Sequence, residues 1–409
     1  MMIDIRSKGA VPAPGTDNTT AIQAALTEAA TSSDTRTVVV PPGAFETRRV
    51  TIPSGVTLIG DGGTLKHRVM TATEACVEIV GADAKIRDLA IDGNRANQTM
   101  PGYGVLVQGD RSHLDNITVI NTSDTGILVS GRTGHRLIWC KVRDTGKNGI
   151  GFTKPGTGIV ATDFSIHGAQ IERAFDGGIG VMGQNFTVTG CTTRDTGGDG
   201  ITAYADENGH YALTGNTIDN PGNNGIHSAG SNVSITGNTI RNAISRGIYH
   251  LHQGQAVQNG VAVVSNTITG TGLSGIEVWP CTSLAVVANT VLNARTDAFD
   301  IRRTDGLTLT GNVTAGAQGM GYKVRATRFA TITANVGTGQ LGDLIRVADE
   351  GLTPSSLNGI IAANVGNGSA KAVNILDGAS WWTEMATMPG VTAADPYVMG
   401  GPTNRRISA

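Results

Sequence analysis

A phrase that recurs every 22 to 29 residues, strand-forming Val, Ile and Thr broken by glycine and asparagine, and scarce aromatics together predict an all-β chain. The fold class they define is a single right-handed parallel β-helix of about 12 coils, a solenoid with an α-helix capping its N-terminal end. Glycine accounts for 57 of the 409 residues, while aromatics make up 4% and charged residues 16%. Gly and Asn tolerate the positive φ of tight turns, and Val, Ile and Thr suit strands. Apolar residues recur evenly, so a disordered chain is excluded.

Taken from the N-terminus, the first element is the cap. A solenoid end exposes strand edges that must be covered. Residues 17–31, DNTTAIQAALTEAAT, supply a helix: Asp17 or Asn18 is the N-cap, and Ile22, Ala25, Leu26, Ala29 and Ala30 form one apolar stripe. The expected layout is a cap over 1–55, the β-helix over 56–375 and a C-terminal cap or tail over 376–409. In that last segment Trp381 and Trp382 are expected to pack on the final coil or on a neighbouring chain.

The coils come next. The phrase is apolar-x-x-Asn-x-apolar, a turn, then Gly-Ile-x-apolar, as in SITGNTIRNAISRGIYHL (234–251). Aligning it puts Asp88, Asn116, Cys140, Asp163, Cys191, Asn216, Asn238, Asn266, Asn289, Asn312, Asn335 and Asn364 at one position. A coil of three short strands and their turns fits the 22-to-24-residue steps, and longer steps carry loops. One coil cannot bury its own apolar face, but stacking at about 4.8 Å pairs each strand with those above and below. The recurring Asn is expected to form an amide ladder along the stack, with Cys140 and Cys191 as buried structural members.

Charge and composition narrow the function. A net charge of −2 gives no bulk attraction for nucleic acid. No stretch reaches the roughly 18 apolar residues of a membrane span. The first residues, MMIDIRSKGA, lack the basic-then-apolar pattern of a secretory signal, which points to retention in the cell, a trimmed chain, or a signal-independent route such as a phage particle. Cys76, Cys140, Cys191 and Cys281 have no metal-type spacing and read as reduced and buried. No cofactor or metal is assigned.

Residues 3–60, from IDIRSKGA through DNTTAIQAALTEA, TVVVPPGAF and IPSGVTLIGDG, resemble the N-terminal portion of pectate-lyase-like β-helix proteins. That grouping holds polysaccharide lyases, family-28-like glycosidases, alginate epimerases and phage tailspike depolymerases. The resemblance implies a polysaccharide as partner and, by analogy with tailspikes, a homotrimer. The chain departs from the grouping in two ways. The usual acidic pair before the helix reads Asp17-Asn18, and neither the Asp-Pro-His motif of the epimerases nor their calcium-binding nonapeptides occur. Several chemistries share this scaffold, so the reaction has to be read from position.

In a Gly-Ile-x-apolar strand the x residues face solvent. Coil by coil they are Leu106, Leu128, Gly151, Gly180, Thr202, His227, Tyr249, Glu277, Asp300, Lys323 and Arg346. Two residues further along lie Tyr204, Trp279, Arg302 and Arg325. Early coils are plain; later ones gather aromatics and both charge signs, as a sugar-binding groove requires. Tyr204 and Trp279 are expected to be sugar platforms, and Arg302, Lys323, Arg325 and Arg346 to hold anionic groups on the polymer. Loops after Tyr204 and Tyr249 bring Asp206, Glu207 and His252 to its rim, while His250 points inward.

Glu277 and Asp300, one coil apart, form the expected catalytic pair. Carboxylates this close suit glycoside hydrolysis, with one pKa raised by the other's charge. Glu277 is then the general acid and Asp300 the nucleophile or base, with Tyr249 and His227 as positioning groups. Two alternatives use the same strip. One is β-elimination or C5 epimerisation of a uronate polymer, with Tyr249, His227 or His252 as base and Arg302 or Lys323 as neutraliser. The other is a non-catalytic spike that only binds a surface polysaccharide.

Overall fold

The computed structural model describes the chain apart from Met1 and residues 154–159, 206–208, 252–256, 349–356, 372, 377–379, 385–396, 400–405 and 408–409; for 357–358, 380–384, 397–399 and 406–407 it describes the backbone alone. Two compact units result, Met1–Thr202 and Ala203–Ala409.

The first unit opens with strand Ile3–Asp4, which pairs in parallel with Thr37–Val40. Helix α1 spans Thr19–Thr31 and buries Ile22, Ala25, Leu26 and Ala29. Its cap works from one residue further back than the N-cap: Asp17 Oδ1 accepts the Thr19 N–H at 3.0 Å. Asn18 instead accepts the Val11 N–H and donates to the Glu46 carbonyl, tying the helix start to the chain around it. Parallel pairing then repeats coil by coil, as in Lys85–Arg87 on His113–Asp115 and that strand on Arg136–Ile138. Phe152, Phe164 and Phe186 stack through the interior with ring centroids 4.2 and 5.0 Å apart.

In the second unit each coil supplies one strand to each of three parallel sheets. The first sheet holds Ile226–Ala229, Ile248–Leu251, Ile276–Trp279, Phe299–Arg302, Tyr322–Arg325 and Ile345–Ala348. The second runs from Tyr211–Thr214 through Val233–Thr236, Gln258–Val264, Cys281–Val287 and Thr304–Thr310. The third is built of three-residue strands such as Thr239–Arg241, Thr267–Thr269 and Thr290–Leu292. Between second and third sheets the chain turns through one left-handed residue, and the next side chain points inward.

That inward position carries the asparagine ladder. Asn216, Asn238, Asn266, Asn289, Asn312, Asn335 and Asn364 are buried, and each of the first six donates Nδ2–H to Oδ1 of the next at 2.9–3.0 Å. The backbone N–H of each bonds the same Oδ1, as in Asn266 to Asn289 at 3.0 Å. Nδ2 also reaches a carbonyl one coil back, as in Asn289 to Val263 at 2.8 Å. Each amide is thus satisfied in an apolar interior, where an orphaned group would cost about 1–3 kcal/mol.

In the first unit the same position is apolar: Leu89, Ile117, Cys140, Ala169 and Cys191, all buried. The sequence alignment is corrected here. Asp88 and Asn116 are the left-handed residues one place earlier, with φ of 51° and 49°, and Asp163 (φ 55°) lies within the longer strand Ala161–His167. Cys140 and Cys191 do hold the ladder rank, and each thiol points at a carbonyl one coil back, Leu114 and Ile166. All four cysteines are buried, and none forms a disulfide.

Candidate functional site

In the first sheet of the second unit, register sets one outward column: His227 opposite Tyr249, Tyr249 opposite Glu277, Glu277 opposite Asp300, Asp300 opposite Lys323, and Lys323 opposite Arg346. Ile226, Ile248, Ile276, Phe299, Tyr322 and Ile345, one residue earlier, stack inward and are buried. Leu251 sits opposite Trp279, and Arg302 opposite Arg325, forming a second outward column. His250 faces the interior, with its Nδ1 2.8 Å from the Ser228 hydroxyl.

At one end of the strip is an aromatic cluster. The Tyr204 hydroxyl lies 3.0 Å from Nδ1 of His227, with the two rings perpendicular. Tyr249 stacks on His227 at 5.1 Å, and the Arg246 guanidinium sits 4.2 Å from the Tyr249 ring centre. Burial raises the Tyr249 phenol above its ordinary value, with the Arg246 charge pulling the other way. Tyr249 is therefore a protonated phenol at neutral pH, suited to giving a proton.

At the other end carboxylates and guanidinium groups alternate. Arg246 Nε donates to Glu277 Oε2 at 2.5 Å, and Arg302 Nη2 lies 3.0 Å from Oε1. Arg302 also bonds Asp300 at 2.5 Å, and Arg325 spans both Asp300 oxygens at 2.7 and 2.6 Å. Only 3% of Glu277 and 2% of Asp300 is exposed. The expected pair is thus adjacent, but it is neither open to solvent nor coupled in the expected way. Burial pushes the Asp300 carboxyl up, yet the hydrogen bonds of Arg302 and Arg325 outweigh it and leave it below the usual range. The reason is positive charge between the two carboxylates, which removes the repulsion that would have held a proton. With every oxygen engaged, the pair reads as a scaffold that orients three arginines.

Two residues of this site come from the turn just before the strand. Arg246 is one. Asp297 is the other; its Oδ1 accepts the Met320 N–H at 2.8 Å, and Lys323 lies 3.9 Å from Oδ2. Burial raises Asp297 above the usual carboxylate range, against the Met320 N–H and the Lys323 charge. Each immediately precedes a small residue, Gly247 or Ala298, and stands two places before its strand. Trp279 is half-buried, with the Arg302 and Arg303 guanidinium carbons 5.7 and 5.5 Å from its ring. Arg346 makes no ion pair among the described residues. Asp206, Glu207 and His252 lie outside the described residues, as do the side chains of Trp381 and Trp382. No group of three or more His, Cys, Asp or Glu among the described residues is arranged to hold a metal, and no helix is long and apolar enough to cross a membrane.

Stacked parallel coils, inward ladders and one outward strip define a solenoid whose coils follow a common plan. Residues 75–255 and 177–337 match the family described as "Right handed beta helix region", and the chain belongs to it. No curated protein sequence matches the chain. Among solved structures it is similar to the pre-mature bacteriophage phi29 gene product 12, with 13% identity and a TM-score of 0.64 over 92% of this chain and 63% of that one. The chain therefore spans somewhat under two thirds of that protein's length. It is also similar to the catalytic domain of a GH87 α-1,3-glucanase in complex with tetrasaccharides, with 16% identity and a TM-score of 0.53 over 66% of this chain and 62% of that one. A third is the A-module of the Azotobacter vinelandii mannuronan C-5 epimerase AlgE6, with 15% identity and a TM-score of 0.50 over 93% and 98% of the two chains. At such identities the likeness shows the fold.

Proposed function

We propose that the chain binds an acidic polysaccharide along the outward strip of its second unit and acts on it by removing the proton at C5 of a uronate. The observation that carries this reading is the 3.0 Å contact between the Tyr204 hydroxyl and His227 Nδ1. These are proton-transfer groups in mutual reach, beside arginines already oriented by buried carboxylates. A phenol is a weak base, but one that passes its own proton to an imidazole as it accepts another is far stronger. Tyr204 Oη takes the C5 proton while the Tyr204 proton moves to His227 Nδ1. Arg246, whose guanidinium lies over the Tyr249 ring, neutralises the substrate carboxylate and so stabilises the charge that develops on it. Glu277 holds Nε of Arg246, while its Nη2 makes no hydrogen bond among the described residues. Tyr249 supplies a proton, either to the oxygen leaving C4 as the C4–C5 double bond forms, or to the opposite face of C5. The first outcome is elimination and the second epimerisation. That a mannuronan epimerase shares the fold agrees with this reading.

A second reading rests on Asp297. Its raised pKa beside an ionised Asp300 is the pattern of an acid and a base set apart by environment. It supports hydrolysis with Asp297, in place of Glu277, as proton donor.

The test is incubation with alginate, polygalacturonate and a neutral α-glucan in deuterated water, following polymer size, reducing ends, near-ultraviolet absorbance and deuterium at C5. Unsaturated ends or C5 deuterium on a uronan are expected. New reducing ends with neither signal overturn the proton-abstraction reading in favour of hydrolysis. A polymer that binds and never changes makes the chain a spike that only recognises its ligand.

A further inference from the structure

In the first unit, Trp139 breaks a rule that every equivalent residue keeps. It occupies the left-handed position between second and third sheets, with φ of 52°. Elsewhere that position holds Asp88, Asn116, Gly168, Gly190, Gly215, Gly237, Ser265, Ala288, Gly311, Ala334 and Ala363, all small or able to bond their own backbone. A left-handed backbone strains any residue with a Cβ, alanine as well as tryptophan. The indole packs one part of its surface on the next coil and leaves 51% of the residue exposed. That packing accounts for the covered part of the ring and not for the indole face left in water.

The surroundings show how the ring is held. The His167 ring meets it edge-on, with centroids 5.1 Å apart and planes at 78°. A Cβ on Gly168 would lie 2.4 Å from the indole Cε3, so only glycine on the next coil leaves room for the ring. The Trp139 N–H donates to the His167 carbonyl at 2.9 Å, which fixes the backbone below it. Around this one apolar surface lie exposed polar side chains: Asn116 one coil before, Arg136 and Lys141 on the same coil, and Gln170 opposite Lys141. A protein-binding surface would need a contiguous apolar patch, and none surrounds this ring. A single rigid aromatic face ringed by amide and cationic donors instead matches a sugar ring, whose C–H face is apolar and whose hydroxyls are polar.

We infer that Trp139 is the platform of a second carbohydrate-binding site, separate from the strip of the second unit, which takes one pyranose ring of a polysaccharide on its exposed indole face. The full chain labelled with 5-fluorotryptophan tests this by fluorine resonance, with Trp139→Ala and Trp279→Phe assigning those two of its four tryptophan signals. Alginate, polygalacturonate and α-glucan oligosaccharides are the probes. A shift of the Trp139 signal with at least one probe is expected, persisting in a Tyr204→Phe background. The Trp139→Ala chain should fold and melt within a few degrees of the parent, since Ala288, Ala334 and Ala363 already occupy that position. No movement of the Trp139 signal with any probe overturns the inference, and movement of Trp279 alone does so while leaving the strip intact. A fall of many degrees in the Trp139→Ala melting temperature also overturns it, by giving the indole a structural reason.

Discussion

Tyr204 and His227 act as one unit in the proposed chemistry, so removing either should cost nearly the same. Tyr204→Phe and His227→Gln are each expected to lower kcat by about 10²–10⁴ with little change in melting temperature, and the double variant should be scarcely slower. Steady-state rates on a responsive uronan check this. Glu277 should behave oppositely. Glu277→Gln removes a charge from between Arg246 and Arg302, and breaking a buried pair costs about 3–5 kcal/mol. Its primary effect should appear in denaturant unfolding; a large rate loss at unchanged stability would restore it to the chemistry. Asp297→Asn decides between the two readings: rates within a few-fold of the parent agree with proton abstraction, and loss by orders of magnitude supports hydrolysis.

At the scale of the element, the asparagine ladder makes a prediction about cooperativity. Asn289→Leu fits the space but removes the acceptor of the Asn266 backbone N–H and Nδ2–H and the side-chain donor to the Val263 carbonyl. A destabilisation of about 1–3 kcal/mol per orphaned group is expected, read by chemical denaturation. What the sequence could and could not show follows from the same geometry. The outward column was legible because alternation along a strand has only two outcomes, and the buried Gly-Ile pairs fixed which one. The turn residues Arg246 and Asp297 escaped because no alternation governs the direction of a side chain in a turn. Asp88 and Asn116 were misplaced by one residue because Asn and Asp suit both a left-handed backbone and an amide ladder. Asp163 was misplaced because a long strand bends through a left-handed residue of its own. Composition could not reveal the arginines that close over Glu277 and Asp300, since ion-pair partners two to 31 residues apart leave no periodic trace.

For the molecule as a whole, buried histidines set the acid limit. Burial holds His67 at about 4, and it also lowers His113, whose neighbouring charges act in both directions, and His135, against the Gly131 carbonyl and the Asp110 charge. Below pH 6.5 the unfolded chain takes up these protons before the folded one does. The stability they confer is complete above pH 6.5 and is lost as pH falls toward 4. Asp300, lowered by its arginines, adds a loss at still more acid pH. Melting temperature should therefore decline between pH 7 and 4, and His67→Gln should flatten the decline. The two units need not melt together, because a solenoid's stability is a sum of coils and their neighbours.

The central claim is that the strip running from Tyr204 through His227, Tyr249 and Arg302 is where a sugar polymer lies. A crystal structure of the Tyr204→Phe chain with a uronate oligosaccharide tests it most directly. The account predicts density for sugar rings across this strip, with one carboxylate against Arg246 and its C5 facing residue 204. Oligosaccharide bound to a different sheet, or an empty strip at saturating ligand, would contradict it.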